Sequence, residues 1–134
     1  MYVLWHAPGS ATVSGEVNRA VFVAVSRDDG KNFAAEQRAI ADATGACGCC
    51  GMKAFVDATG ALFAVFRTAT AEGSRDMELL VSRDQGKSFR AALLEKWPVK
   101  MCPMSSSSIA GGKSGVKVAW ESQGQISVGA VDAA

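Results

Sequence analysis

The chain has 134 residues, 14 basic and 13 acidic side chains and a formal net charge of +1, a balance that gives no electrostatic reason to bind nucleic acid or an anionic membrane. Its length fits one domain or part of a larger one, and with 49% hydrophobic residues it can pack a core. No apolar run reaches the ~20 residues that span a bilayer as a helix, and Met1-Tyr2-Val3-Leu4-Trp5-His6, with no basic head or cleavage site, does not read as a signal peptide.

Short apolar runs alternate with Gly, Ser and Asp clusters along the chain, which predicts an all-β fold. Val3-Leu4-Trp5-His6 is the first strand, ending in an aromatic residue followed by a polar one. Arg19 leads a second strand, Ala20-Val21-Phe22-Val23-Ala24-Val25, and the octet Ser26-Arg27-Asp28-Asp29-Gly30-Lys31-Asn32-Phe33 follows as a turn. A cysteine group comes next, Cys47-Gly48-Cys49-Cys50. Asp57-Ala58-Thr59-Gly60 reads as a turn, and Ala64-Val65-Phe66-Arg67 as a strand with the same aromatic-polar ending. Arg75 and the strand Asp76-Met77-Glu78-Leu79-Leu80-Val81 then lead into Ser82-Arg83-Asp84-Gln85-Gly86-Lys87-Ser88-Phe89. That octet repeats the first at an offset of 56 residues, from Ser26 to Ser82, with six of eight positions identical. Cys102 follows Ser82 at nearly the distance by which Cys47 follows Ser26. Ser105 to Ser108 reads as a short polar connection, and Gly111-Gly112-Lys113-Ser114-Gly115 as a turn. Val118-Ala119-Trp120-Glu121 repeats the aromatic-polar strand. Gln125 to Asp132 repeats the Arg-led strand, with Gln125 in the Arg place and Asp132 in the Ser place. No segment has a helical period.

A fixed period of this size in an all-β chain points to a β-propeller. The expected architecture is partial: about two and a half four-stranded antiparallel blades. Residues 1–46 form an incomplete blade lacking its innermost strand, 47–101 a whole blade, and 102–134 a third lacking its outer strand. The turn residues have a structural purpose. Asp28 and Asp84 accept backbone N–H groups, Ser26 and Ser82 add a hydroxyl bond, and Gly30 and Gly86 permit positive φ. Phe33 and Phe89 are expected to anchor each turn by burying a ring between strands.

The repeated octet resembles the Asp box, S-x-D-x-G-x-[TS]-[WF], of the BNR-repeat sialidases and related propellers, and through the repeats the resemblance covers nearly the whole chain. It implies a six-bladed propeller whose Asp boxes sit away from the ligand site. It also implies a sialidase-like glycoside hydrolase that grips an anionic sugar with an arginine cluster at the channel mouth. Such an enzyme uses a Tyr nucleophile activated by a Glu, and an Asp as acid/base. On that resemblance Arg67 is the first candidate for substrate binding and Arg75 the second, with Arg19 and His6 at the same end. Glu121 would be the activating carboxylate, and Asp76 or Asp57 the acid. The only tyrosine, Tyr2, has no nucleophile context, so the implied nucleophile lies outside the chain. The plainer reading of Arg67 and Arg75 is as solvated strand-end residues.

The cysteines leave three readings open. Cys102 can form a disulfide to the Cys47, Cys49, Cys50 group and staple neighbouring blades, which would suit an exported protein. Thiolates with Met52, Met101 and Met104 nearby can hold Cu(I), and four thiolates can hold zinc. Cys47-x-x-Cys50 can also do redox chemistry.

The leading functional reading is a fragment of a sialidase-like hydrolase from a periplasmic or secreted parent, needing no cofactor. Its rivals are a non-catalytic propeller that binds a glycan or protein partner, and an exported propeller with a Cys/Met site for Cu or Zn. Exposed blade edges are expected to make the isolated chain self-associate or be only marginally stable.

Overall fold

The computed structural model describes residues 1–42 and 44–131. Strands β1 (Tyr2–Pro8), β2 (Arg19–Val25) and β3 (Gln37–Arg38) form the first sheet. The second holds β4 (Lys53–Val56), β5 (Leu62–Arg67), β6 (Met77–Ser82) and β7 (Arg90–Glu95). The third holds β8 (Ser107–Gly112), β9 (Gly115–Ser122) and β10 (Gln125–Val131). Every pairing is antiparallel between strands consecutive in sequence. The chain is all-β, and helix among the described residues is a single 3-10 turn at Glu16–Asn18. None of its helices is long and apolar enough to cross a membrane. Asp132, expected in the Ser place of a third turn, lies outside the described residues.

β5 explains why the sheets stack. Its run Leu62-Phe63-Ala64-Val65-Phe66 is apolar at every position, and every residue from Leu62 to Arg67 is buried. Strand residues alternate faces, so a strand apolar on both needs cover on both. Phe63 and Val65 pack with Val116, Val118 and Trp120 of the third sheet. Ala64 and Phe66 pack with Val21 of the first sheet and with Ala39 and Ala46 beyond it. Each large side chain buried this way contributes roughly 1.5–3 kcal/mol. β8 includes Ser107, Ser108, Gly111 and Gly112, where a polar connection and a turn were expected. Serine and glycine carry little strand signal, and pairing along β9 sets the conformation. Gly111 is needed there because a Cβ would run into the Phe55 ring.

The two octets fold alike. Ser26 Oγ donates to Asp28 Oδ1 (2.8 Å) and accepts the Gly30 N–H (2.8 Å), while Asp28 Oδ1 accepts the Asn32 N–H (2.9 Å). Ser82, Asp84, Gly86 and Ser88 repeat these bonds at 2.8, 2.8 and 2.9 Å. Asn32 takes the place of a hydroxyl residue, its amide reaching Asp28 Oδ2 (2.7 Å) as Ser88 Oγ reaches Asp84 Oδ2 (2.6 Å). Positive φ at Gly30 and Gly86, 85° and 81°, closes each turn. The expectation for Phe33 fails: it is 42% exposed, whereas Phe89 packs against the core shared with the first sheet. Phe89 has a preceding sheet to lie on, and among the described residues Phe33 has none.

These bonds favour the ionised carboxylates. Side-chain and backbone donors from Asn32, then Ser26, pull Asp28 down to about 2, and those from Ser88, then Ser82, pull Asp84 further below the usual range. A folded pKa below the unfolded value of about 3.9 gives stability that is present above about pH 4 and lost as pH falls toward the folded value. Denaturant unfolding between pH 2 and 7 is expected to show a loss below about pH 4 that is blunted in the D28N/D84N double variant. Equal slopes for the two proteins would count against this account.

Among the described residues the outer edge of β10 is unpaired, with Ile126 and Val128 72% and 67% exposed, and Val3 of the edge strand β1 is 43% exposed.

Candidate functional site

The hairpin registers put the candidate polar residues at one end of the sheets. Pro8 pairs with Arg19, Arg67 with Met77 and Ser122 with Gln125, whereas the opposite ends carry Tyr2 against Val25 and Leu62 against Ser82. His6, Arg19, Arg67, Arg75, Asp76 and Glu121 therefore gather away from the two octets. Asp57 lies at the far end of β5, where its carboxylate accepts the Thr59 hydroxyl (2.7 Å) and the N–H groups of Thr59 and Ala61 (2.9 and 3.0 Å).

Arg67 turns into the protein and is 1% exposed. Its Nε donates to Ser105 Oγ (2.6 Å), Nη1 to the Arg75 carbonyl (2.7 Å), and Nη2 to Ser122 Oγ (2.8 Å) and the Glu121 carbonyl. Trp97 lies under the guanidinium at 4.7 Å, a cation–π contact. Arg67 is thus neither solvated nor offered to a ligand; it ties the second sheet to the third. Asp76 supports the same network by accepting the Trp97 N–H (2.7 Å). Glu121 directs its carboxylate to the Gly124 N–H (2.9 Å) in the turn before β10.

Arg75 and Arg19 meet at a residue the sequence reading passed over, Glu16. Arg75 Nη2 is 3.1 Å from Glu16 Oε2, and Arg19 Nη1 is 3.6 Å from Glu16 Oε1. The Gly48 N–H also donates to Glu16 Oε1 (2.6 Å), which ties the cysteine loop to the same carboxylate. The available signal was Glu16 three residues before Arg19, just after Gly15, a spacing that puts both on one side of a turn. Among the described residues Arg75 Nε is buried with no partner, while the Arg19 and Glu16 side chains are 32% and 30% exposed. His6 has a buried, unpartnered Nδ1; burial, then the nearby Arg19 charge, holds its pKa below the usual value.

The cysteines converge beside this cluster. Cys47 and Cys50 are buried free thiols, and a disulfide joins Cys49 to Cys102. All four sulfur atoms lie within 4.8 Å of one another. The Cys47 N–H donates to the Arg67 carbonyl (2.9 Å) and the Ala46 N–H to the Glu16 carbonyl (3.0 Å), so the loop is stitched to both neighbouring elements. Burial, then contact with Cys47, raises the pKa of Cys50 and keeps it a neutral thiol. Met101 and Met104 point outward, 66% and 79% exposed, and Met52 packs on the core between the first two sheets.

No protein-family model, curated protein or solved structure matches this chain.

Proposed function

We propose that the chain is a segment of an Asp-box β-propeller from a sialidase-like protein, and that its polar end binds an anionic sugar through Arg19 and Arg75. The observation that carries this reading is two guanidiniums converging on one carboxylate at a partly exposed position. Arg19 and Arg75 share the single Glu16 carboxylate, which leaves guanidinium donors that a ligand carboxylate could take.

The propeller part rests on the repeat. The octets follow β2 and β6, which hold equivalent places in their hairpins. Among the described residues the first sheet has no counterpart of β4 and the third no counterpart of β7. A groove of about 650 Å³ runs between the β6–β7 side of the second sheet and the end of β10. The disulfide is in keeping with an exported parent.

Binding is supported for this chain more directly than hydrolysis. Tyr2 is at the opposite end of β1 from Arg19's partner, Pro8, so a nucleophile for a sialidase would come from outside the chain. The non-catalytic reading therefore stands beside the hydrolase, and turnover of a fluorogenic sialoside by the parent protein separates them. The binding test is NMR titration of the chain with N-acetylneuraminic acid and with a neutral N-acetylhexosamine. The acid is expected to bind at the Arg19–Arg75 end, and R75A to weaken it by roughly 10- to 100-fold, the worth of a charge-assisted hydrogen bond. Equal binding of the neutral sugar, or R19A and R75A proteins that bind as the parent does, would sink the reading.

A further inference from the structure

We propose that Cys47, Cys49, Cys50 and Cys102 form a tetrathiolate site for one zinc ion, available when the Cys49–Cys102 pair is reduced and closed when it is oxidised. A zinc–sulfur bond of ~2.3 Å in a tetrahedron puts the sulfurs ~3.8 Å apart. The unbonded sulfurs already stand near that spacing: Cys47 to Cys49, Cys50 and Cys102 at 3.5, 3.1 and 3.5 Å, and Cys50 to Cys102 at 3.9 Å. A staple between sheets needs two cysteines. This site has two more, both buried and both aimed at the same point.

Groups around the site can offset the charge that four thiolates bring with zinc. The Met104 N–H donates to Cys102 Sγ (3.4 Å). Such N–H···S bonds stabilise sulfur carrying negative charge. Four thiolates around a divalent ion carry a net charge of −2, and the buried guanidinium of Arg67 lies close enough to feel Cys47 and Cys50. On the other side the Arg19 guanidinium lies against Gly48, where a Cβ would collide with it. The outward Met101 and Met104 leave a set of four hard-held thiolates with no thioether, which favours tetrahedral zinc over Cu(I).

The two forms are linked by a balanced step. A trialkyl phosphine attacks the disulfide and leaves as its oxide with the oxygen of one water, while Cys49 and Cys102 gain two electrons and two protons. Zinc then displaces the thiol protons as the four Zn–S bonds form.

The test uses the whole chain, reduced with phosphine and kept anaerobic, with Co²⁺ as the optical probe and zinc as competitor. One equivalent of Co²⁺ is expected to give tetrahedral d–d bands and sulfur-to-cobalt charge transfer, both erased by zinc and both absent in the oxidised chain. C47S and C50S are expected to weaken zinc binding by at least about a hundredfold. Because either variant could unfold, thiol reactivity is also measured on the unaltered reduced chain. Zinc is expected to protect all four thiols. An aqua-like cobalt spectrum at one equivalent, or thiols that react equally fast with and without zinc, overturns the proposal.

Discussion

Replacing Arg67 with Met is expected to destabilise the protein by about 3–5 kcal/mol, the usual cost of breaking a buried charged network from one side. The aliphatic stem would still fill much of the space, so the loss comes from the partners. The Ser105 and Ser122 hydroxyls and the Arg75 and Glu121 carbonyls would each lose a charged donor. A buried polar group left unsatisfied costs about 1–3 kcal/mol. Part of this is offset because the desolvated guanidinium is itself removed, and burial already disfavours its charged form. R67K should recover little, since an ammonium cannot reproduce the planar fork that reaches four acceptors while stacking on Trp97. Urea unfolding of the two variants beside the parent measures this. A loss under about 1 kcal/mol for R67M would mean that the guanidinium is not the tie described above, and would return Arg67 to the ligand candidates.

The inward turn of Arg67 was legible in principle. Side chains alternate along a strand, so Arg67 shares a face with Val65 and Phe63, the face that packs on the third sheet. The plainer reading made Arg67 a solvated strand end, whereas the partners that keep the charge inside come from far along the chain. Ser105 and Ser122 are 38 and 55 residues away, and a run of four serines carries no sign of holding a buried cation. Local signals did better. The octets encode their own turn, because Ser, Asp and Gly act within a few residues, and the 56-residue repeat brings Cys102 within one residue of the place equivalent to Cys47. Which sulfurs bond is a matter of angstroms and was not written there. Phe33 and Phe89 show the same limit: they occupy identical places in the repeat, and only the presence of a preceding sheet makes one half-buried and the other exposed.

Gly45→Ala is expected to be the other severe substitution, by about 3 kcal/mol or more, for a reason the composition of its loop does not announce. The segment from Thr44 to Cys47 passes between the Glu16 turn and the stretch after β5. Thr44 accepts the Ala69 N–H (3.2 Å), Ala46 donates to the Glu16 carbonyl (3.0 Å), and Cys47 donates to the Arg67 carbonyl (2.9 Å). Gly45 has φ of 64°, and a Cβ there would lie well inside contact with the Ala69 carbonyl and 2.9 Å from the Glu16 carbonyl oxygen. Both obstacles are backbone, so no rotamer change relieves them. Gly51 provides the control: its φ is 70°, yet nothing lies within 4 Å of the Cβ position. G51A should therefore cost only the left-handed conformation itself, about 1 kcal/mol. Paired denaturant curves separate the two effects, since they share the conformational cost and differ in the collision. The displacement in G45A begins two residues before Cys47, so the reduced variant should also hold cobalt more weakly than reduced G51A. If both alanine variants lose the same stability, the chain around Ala69 yields freely, and the cysteine loop is less firmly positioned than its hydrogen bonds indicate.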